Sequence, residues 1–148
     1  MNISIDNGAI AFDSGVITRD ISRSEFLNGA LGADAEVLIV NTPFATYRIR
    51  PETGVSASVR FRGDLLELVS VLFEMQNDTE VNWTRERELE RQAIHDSWLL
   101  EEVGPPPYQF AWGEIESLFD EKACVSNIII GYGPRRVEKA WWQKAEPK

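Results

Sequence analysis

The stretch that decides the fold of this chain runs from Trp83 to Glu121 and reads WTRERELERQAIHDSWLLEEVG (83–104), PPPYQF (105–110) and AWGEIESLFDE (111–121). Its first part predicts a long helix, because Thr84 can cap the N-terminus and Gly104 can end the C-terminus. The three prolines that follow cannot continue a helix. The stretch therefore predicts a long helix, a sharp corner and then an aromatic strand.

The face that this helix buries can be predicted from the 3.6-residue period of an α-helix. Its apolar residues fall into two groups on nearly opposite sides: Leu89, Ala93, Leu100 and Val103 on one, Ile94 and Trp98 on the other. The pattern predicts a helix that is covered through its C-terminal half, with its first two turns in solvent.

The segment that follows the prolines, residues 109–119, alternates like a strand with one polar face. The alternation divides its side chains into two sets: Ile115, Ser117 and Phe119 on one face, and Trp112, Glu114 and Glu116 on the other. A turn over 120–123 leads to a return strand over 125–132, so this part predicts a terminal hairpin.

Strand patterns also fill the N-terminal half of the chain. Residues 3–12 predict a small hairpin, and Ser22 with Glu25 has capping-box spacing for a short helix. Further strands are predicted over 36–40, 45–50, 55–62 and 65–75. The expected fold is α+β: an antiparallel β-meander sheet with one long α-helix packed across it and a short N-terminal helix. We expect a single domain over 1–133 and a basic C-terminal tail over 134–148.

The length and composition of the chain limit its class. The 148 residues suit one domain, and the single cysteine, Cys124, excludes an internal disulfide framework and a multi-cysteine metal site. No basic, apolar leader begins the sequence, and no apolar run approaches the roughly 20 residues of a membrane span. We expect a cytoplasmic protein without a membrane partner.

The net charge of −9 is concentrated in the middle of the chain. Between Gly63 and Glu121 there are fifteen acidic residues and three basic ones, whereas from Lys122 onward there are six basic and two acidic ones. An acidic surface repels phosphate backbones and attracts basic proteins, so nucleic acid is disfavoured as a partner. Solubility alone is the simpler explanation of the acid excess.

His95 is the only histidine and lies beside Asp96 and Ser97 in the predicted helix. Neighbouring residues on a helix point away from one another, so these three cannot form a nucleophilic triad. The favoured interpretation is that His95 ties the helix to the sheet or a turn through a hydrogen bond. We assign no catalytic residue.

Two charged groups invite a chemical interpretation. The first, Glu114, Glu116, Asp120 and Lys122, resembles the carboxylates and lysine of a divalent-metal nuclease, although Asp-Glu-Lys is also an ordinary hairpin turn and the turn is favoured. The second, Arg48, Arg50, Arg60 and Arg62, could grip an anion or an acidic partner. For these arginines a solvated sheet face, paired with Glu67 and Glu52, is favoured. We expect no metal and no cofactor.

Trp141 and Trp142 are adjacent in the basic tail and must be buried somewhere: on this domain, on a second copy or on a partner. Tryptophan is a common anchor of protein interfaces. We expect these two residues at an interface, which leaves a homodimer open.

The chain resembles a group of small bacterial proteins of unknown function, and in size, acidity and lack of a catalytic motif it is similar to toxin-system immunity proteins. The residues that carry the first resemblance form a spaced series: His95, Trp98-Leu99, Tyr108, Trp112-Gly113, Ile115, Ser117, Asp120, Lys122, and Ser126, Ile128, Ile130 and Tyr132, with Thr18-Arg19 and Glu25-Phe26-Leu27 near the N-terminus. No catalytic residues come with either resemblance.

The expected function is therefore protein binding and not catalysis. We expect an immunity protein that occludes a cognate bacterial toxin, or another basic protein, with an acidic surface. The expected contact residues are Glu101, Glu102, Trp112, Glu114, Glu116 and Asp120. The alternatives are a metal-dependent nuclease or phosphodiesterase, and a homo-oligomeric structural protein.

Overall fold

The computed structural model describes residues 1–133, and the predicted tail with Trp141 and Trp142 lies outside this part. The elements in chain order are β1 (Asn2–Ile3), β2 (Ile10–Phe12), β3 (Gly15–Ile17), α1 (Arg23–Asn28), β4 (Glu36–Asn41), β5 (Phe44–Glu52), β6 (Val55–Arg62), β7 (Leu65–Phe73), α2 (Arg85–Glu102), β8 (Gln109–Phe110), β9 (Gly113–Asp120) and β10 (Val125–Gly131). Neither helix is long and apolar enough to cross a lipid bilayer.

The main sheet has seven antiparallel strands in the order β4-β5-β6-β7-β10-β9-β8. The α+β class is therefore confirmed, but the simple meander was wrong. Strands β4 to β7 form a meander, after which α2 carries the chain across the sheet to its far edge. Strands β8, β9 and β10 then run back inward, and Ile128 of β10 pairs with Val71 of β7. The N-terminal hairpin is extended by β3 into a separate three-stranded sheet.

One face of the seven-stranded sheet, which we call the covered face, packs against both helices and the small sheet. Phe26 of α1 contacts the rings of Tyr47 and Phe61. The Ser126 hydroxyl of β10 donates to the Glu88 carbonyl of α2 at 2.6 Å. Side chains that alternate with these strand residues project from the opposite face, which we call the open face, and no helix of residues 1–133 packs there.

Two local predictions about the helices are confirmed. Ser22 and Glu25 form the reciprocal capping box that begins α1. Thr84 caps α2, since its side chain accepts a hydrogen bond from the Arg87 amide at 3.0 Å. Each helix start depends on hydrogen bonds between residues that are close in the chain, so the sequence was sufficient to predict it.

The buried face of α2 differs from the predicted one. Its buried residues are Glu88, Arg91, His95 and Leu99, whereas Leu89, Ile94 and Leu100 are exposed. The expectation of solvated first turns was therefore right for one side of the helix, where Arg85, Glu86 and Glu90 are exposed, and wrong for Glu88 and Arg91. Polar side chains can be buried at low cost where their charges and hydrogen bonds are satisfied, and hydrophobic periodicity does not detect such a stripe.

Trp112 also lies elsewhere than predicted. It precedes β9, is only 3% exposed and packs in the core, not on the face of Glu114 and Glu116. Its indole Nε1 donates to the Ile5 carbonyl at 2.9 Å, and its ring lies so close to Gly8 that a β-carbon there would come within 2.5 Å. Trp112 thus ties the small sheet to the large one.

Candidate binding surface

A buried polar cluster fixes α2 to the sheet and to the loop before the helix. Arg91 Nε donates to the Glu88 carboxylate at 3.0 Å, and its guanidinium forms two bonds to Asp78, at 2.8 and 2.7 Å. The Glu88 carboxylate also accepts the Ser126 amide at 2.9 Å. The hydrogen bond from Arg91 is the main reason that the pKa of Asp78 is lowered to about 2. Every charge of the cluster is engaged in holding the fold, so it is a structural site.

His95 has the structural role that was predicted for it. Its Nε2 accepts a hydrogen bond from the Phe73 amide at 3.1 Å, and its ring meets the Phe73 ring edge to face. Burial, followed by the nearby Arg91 charge, lowers the pKa of His95 to about 4. No residue within 1–133 bonds the buried Nδ1. A neutral imidazole that is closed off from solvent pins the helix and has no access to a substrate.

The acids of β9 form the clearest candidate for binding. Glu114 and Glu116 are exposed and Asp120 is partly exposed. They alternate with Ile115 and Phe119, which belong to the covered face, and so project from the open face. Within residues 1–133 no salt bridge involves any of the three acids.

Three arginines of the open face pair with acids, in contrast to the carboxylates of β9. Arg60 pairs with Glu67 at 2.7 Å, as predicted, and Arg48 pairs with Glu36 at 3.3 Å. Arg50 pairs with Glu74. The expected partner Glu52 instead binds the N-terminal ammonium group at 2.9 Å. Three of the open-face arginines of β5 and β6 thus have an acidic partner, whereas the β9 acids form no salt bridge within residues 1–133.

An apolar strip separates these two regions of the open face. Leu68 and Leu72 of β7, Ile129 of β10 and Leu118 of β9 share this face by register and alternation. Leu118 is 38% exposed, and the other three are half-buried. Partly exposed apolar side chains beside unpaired carboxylates give a surface that can bury area as well as attract charge.

Glu101 and Glu102 occupy a different side of the molecule from the β9 acids. They are exposed in the last turn of α2, which lies on the covered face. The last turn holds no basic residue, although the helix dipole favours cations there. The five predicted acidic contacts therefore do not form one flat surface, and a partner that touched all of them would have to wrap around the β8 edge.

The turn after β9 has the geometry of an ordinary hairpin turn. The Asp120 carboxylate accepts the amides of Lys122 and Ala123 at 3.0 and 3.1 Å. Among residues 1–133 no group of three or more acidic, histidine or cysteine side chains could hold a metal ion. The bonds of Asp120 agree with the turn interpretation.

The exposure of strand β4 was not predicted from the sequence. Residues 36–40 were predicted as a strand, and all six residues of β4 are exposed, so neither face of this edge strand is covered by residues 1–133. An unbroken run of four apolar residues was the available sign, since a strand with one buried face should alternate. A buried central strand gives the same pattern, so sequence could not distinguish the two.

The fold belongs to the α+β class: within residues 1–133, the two helices and the small sheet cover one face of a seven-stranded antiparallel sheet. The sequence matches no protein-family model and no curated protein. A chain of the solved structure of Rhs1-CT in complex with cognate immunity protein RhsI1 has this fold, with a TM-score of 0.59 and 11% identity. The match covers 100% of the present chain and 99% of that chain. The resemblance to toxin-system immunity proteins is thus confirmed at the level of the fold.

Proposed function

We propose that this chain is a non-catalytic, cytoplasmic immunity protein that binds a protein toxin of bacterial origin and blocks it. The fold shared with a chain of the Rhs1-CT–RhsI1 complex supports this class of function. The toxin would be neutralised by occlusion, because the bound chain covers the surface through which the toxin reaches its own target.

The observation that carries the proposal is the position of Glu114, Glu116 and Asp120 on the open face, where none of them forms a salt bridge within residues 1–133. Each described salt bridge of Arg48, Arg50 and Arg60 cancels charge, but none within 1–133 cancels that of the β9 acids. Carboxylates on a strand of a rigid sheet are suited to a basic protein surface, since the strand needs no rearrangement to meet it.

The charged and the apolar residues contribute differently to this proposed contact. The acids raise the rate of encounter with a basic toxin, and this effect weakens as salt increases. Leu118 and its apolar neighbours on the open face contribute hydrophobic burial, which salt does not screen. Glu101 and Glu102 add long-range attraction, and they touch the toxin only where it extends around the β8 edge.

A direct test uses the protein encoded by the gene adjacent to this one. The adjacent product is expressed in a bacterial host with and without the present chain, and growth and co-purification are measured. We expect growth arrest by the adjacent product alone, rescue by co-expression, and a stable complex of the two. Toxicity that co-expression does not relieve, with no complex formed, would contradict the proposal.

A further inference from the structure

The outer edge of β4 combines two features that normally do not occur together on a soluble surface. It ends the seven-stranded sheet, so within residues 1–133 only β5 bonds to it. Its four central residues, Val37, Leu38, Ile39 and Val40, are all apolar and between 38% and 60% exposed. A strand edge presents backbone N–H and C=O groups that can add another strand.

We propose that β4 is the seam of a homodimer in which it pairs antiparallel with β4 of a second copy. This inference does not depend on the proposed immunity function. The two sheets would join across a two-fold axis into one continuous sheet. Such an interface uses the same surface on both subunits, as expected for a symmetric dimer.

The chemistry of β4 fits a second copy because the strand is self-complementary. An antiparallel pairing about a two-fold axis is centred on one residue, and a pairing centred on Leu38 or on Ile39 sets the central apolar residues against one another and keeps the two copies of Glu36 apart. No like charges then face each other, and such an opposition would be destabilising. Glu36 is already paired with Arg48 at 3.3 Å. The seam is therefore neutral in a chain whose net charge is −9, and it offers nothing to attract a strongly charged partner.

The two edge strands of the sheet, β4 and β8, differ in length, and only β4 is long enough to form an extended pairing with a further strand. Strand β8 has two residues, and so short an edge gives another strand little to pair with. Strand β4 has six residues and contains no lysine or proline, the residues that commonly protect an edge. Its one irregularity is a register shift between Val37, which pairs with Tyr47 of β5, and Ile39, which pairs with Thr46.

The expected dimer is weak and leaves the acids of β9 accessible. Six residues from each subunit are far fewer than the roughly 20–30 of a standard interface, so we expect assembly at high micromolar concentration. Four strands separate β4 from β9 in the sheet order. A dimer joined at β4 thus carries two acidic surfaces at its outer ends.

Sedimentation equilibrium of the full chain, from micromolar to millimolar concentration, tests the proposal. We expect the wild type to dimerise and Ile39→Lys to raise the dissociation constant by about tenfold or more, since the lysine enters the seam twice. Val81→Lys is the matched control, because Val81 is 92% exposed outside the sheet, and it should dimerise like the wild type. Circular dichroism of each variant verifies folding.

Cross-linking gives a second measurement that does not depend on the lysine. In a Cys124→Ser background, Leu38→Cys or Ile39→Cys should form a disulfide-linked dimer on mild oxidation, and Val81→Cys should not. A wild type that stays monomeric at millimolar concentration overturns the proposal. So does a dimer that survives Ile39→Lys but is lost in Trp141→Ala/Trp142→Ala, which would move the interface to the tail. The proposal would also be overturned if Ile39→Lys lost the ability to bind the toxin at a concentration at which the wild type is monomeric. That result would mean that the β4 edge binds the toxin.

Discussion

The Nε2 atom of His95 accepts a hydrogen bond from the backbone amide of Phe73 at 3.1 Å, which joins the middle of α2 to the end of β7. This bond requires the neutral imidazole, because a protonated ring has no acceptor nitrogen. The stability of the fold is therefore coupled to the protonation of one residue.

The first prediction is that stability falls with acidification through His95. The pKa of His95 is about 4 in the folded chain, lowered mainly by burial, and returns to about 6.5 on unfolding. Between these values the unfolded state binds one more proton. The contribution is therefore fully present above about pH 6.5 and is lost towards about pH 4, a change of about 3 kcal/mol.

Urea unfolding of the wild type and of His95→Gln across this pH range measures the effect. The glutamine carbonyl can accept a hydrogen bond but does not titrate. The free energy of unfolding should therefore converge for the two proteins as the pH falls. A difference that stays constant with pH would show that His95 does not supply the pH dependence.

The second prediction concerns the buried carboxylate of Glu88. Glu88→Ala removes the acceptor of both Arg91 Nε and the Ser126 amide. Arg91 keeps its two bonds to Asp78, but its Nε and the buried Ser126 amide lose their acceptor, which costs about 1–3 kcal/mol for each unsatisfied group. Chemical denaturation measures this loss, and Glu90→Ala, an exposed change two residues away, is the control and should have little effect. Equal effects of the two substitutions would disprove the structural role of the cluster.

The third prediction tests the acids of β9 as a contact surface. Glu114→Lys/Glu116→Lys should slow association with the adjacent-gene toxin by about tenfold or more at low salt, with a smaller difference at high salt. Stopped-flow or surface-based kinetics measures the association rate. Glu101→Lys/Glu102→Lys makes the same charge change on the other side of the sheet and should have the smaller effect. The reverse order would assign the contact to α2.

The fourth prediction is that the last turn of α2 is not optimised for stability. Glu101→Gln/Glu102→Gln removes two negative charges from the end of the helix where the dipole disfavours them. The melting temperature should rise by about 1–3 °C, as measured by circular dichroism. A fall in melting temperature would mean that these carboxylates have stabilising partners, for example in the basic tail.

Several elements were predictable because they depend on neighbours along the chain. The alternation of 55–62 predicted strand β6, and the caps at Ser22 and Thr84 predicted the starts of both helices. Turns, caps and strand alternation are set within a few residues. The acidic character of the middle of the chain was likewise visible from composition.

Other features could not be read from local patterns. The apolar pattern of α2 pointed to Leu89 and Leu100, but the helix buries Glu88 and Arg91. Their partners, Asp78 and Ser126, come from a loop and a strand that only the folded chain brings together. A side chain's hydrophobicity does not say whether its charge will be satisfied.

The sequence by itself determined the class of the fold, the limits of its helices and the sign of its charge, because these follow from residue types and short-range contacts. Only the tertiary structure decided which face each residue occupies. It buried Trp112 against Gly8, separated Glu101 from Glu114, and left β4 at the edge of the sheet. Strand order and layer packing join residues that are distant in the chain, and those pairings determine which surfaces remain open to a partner.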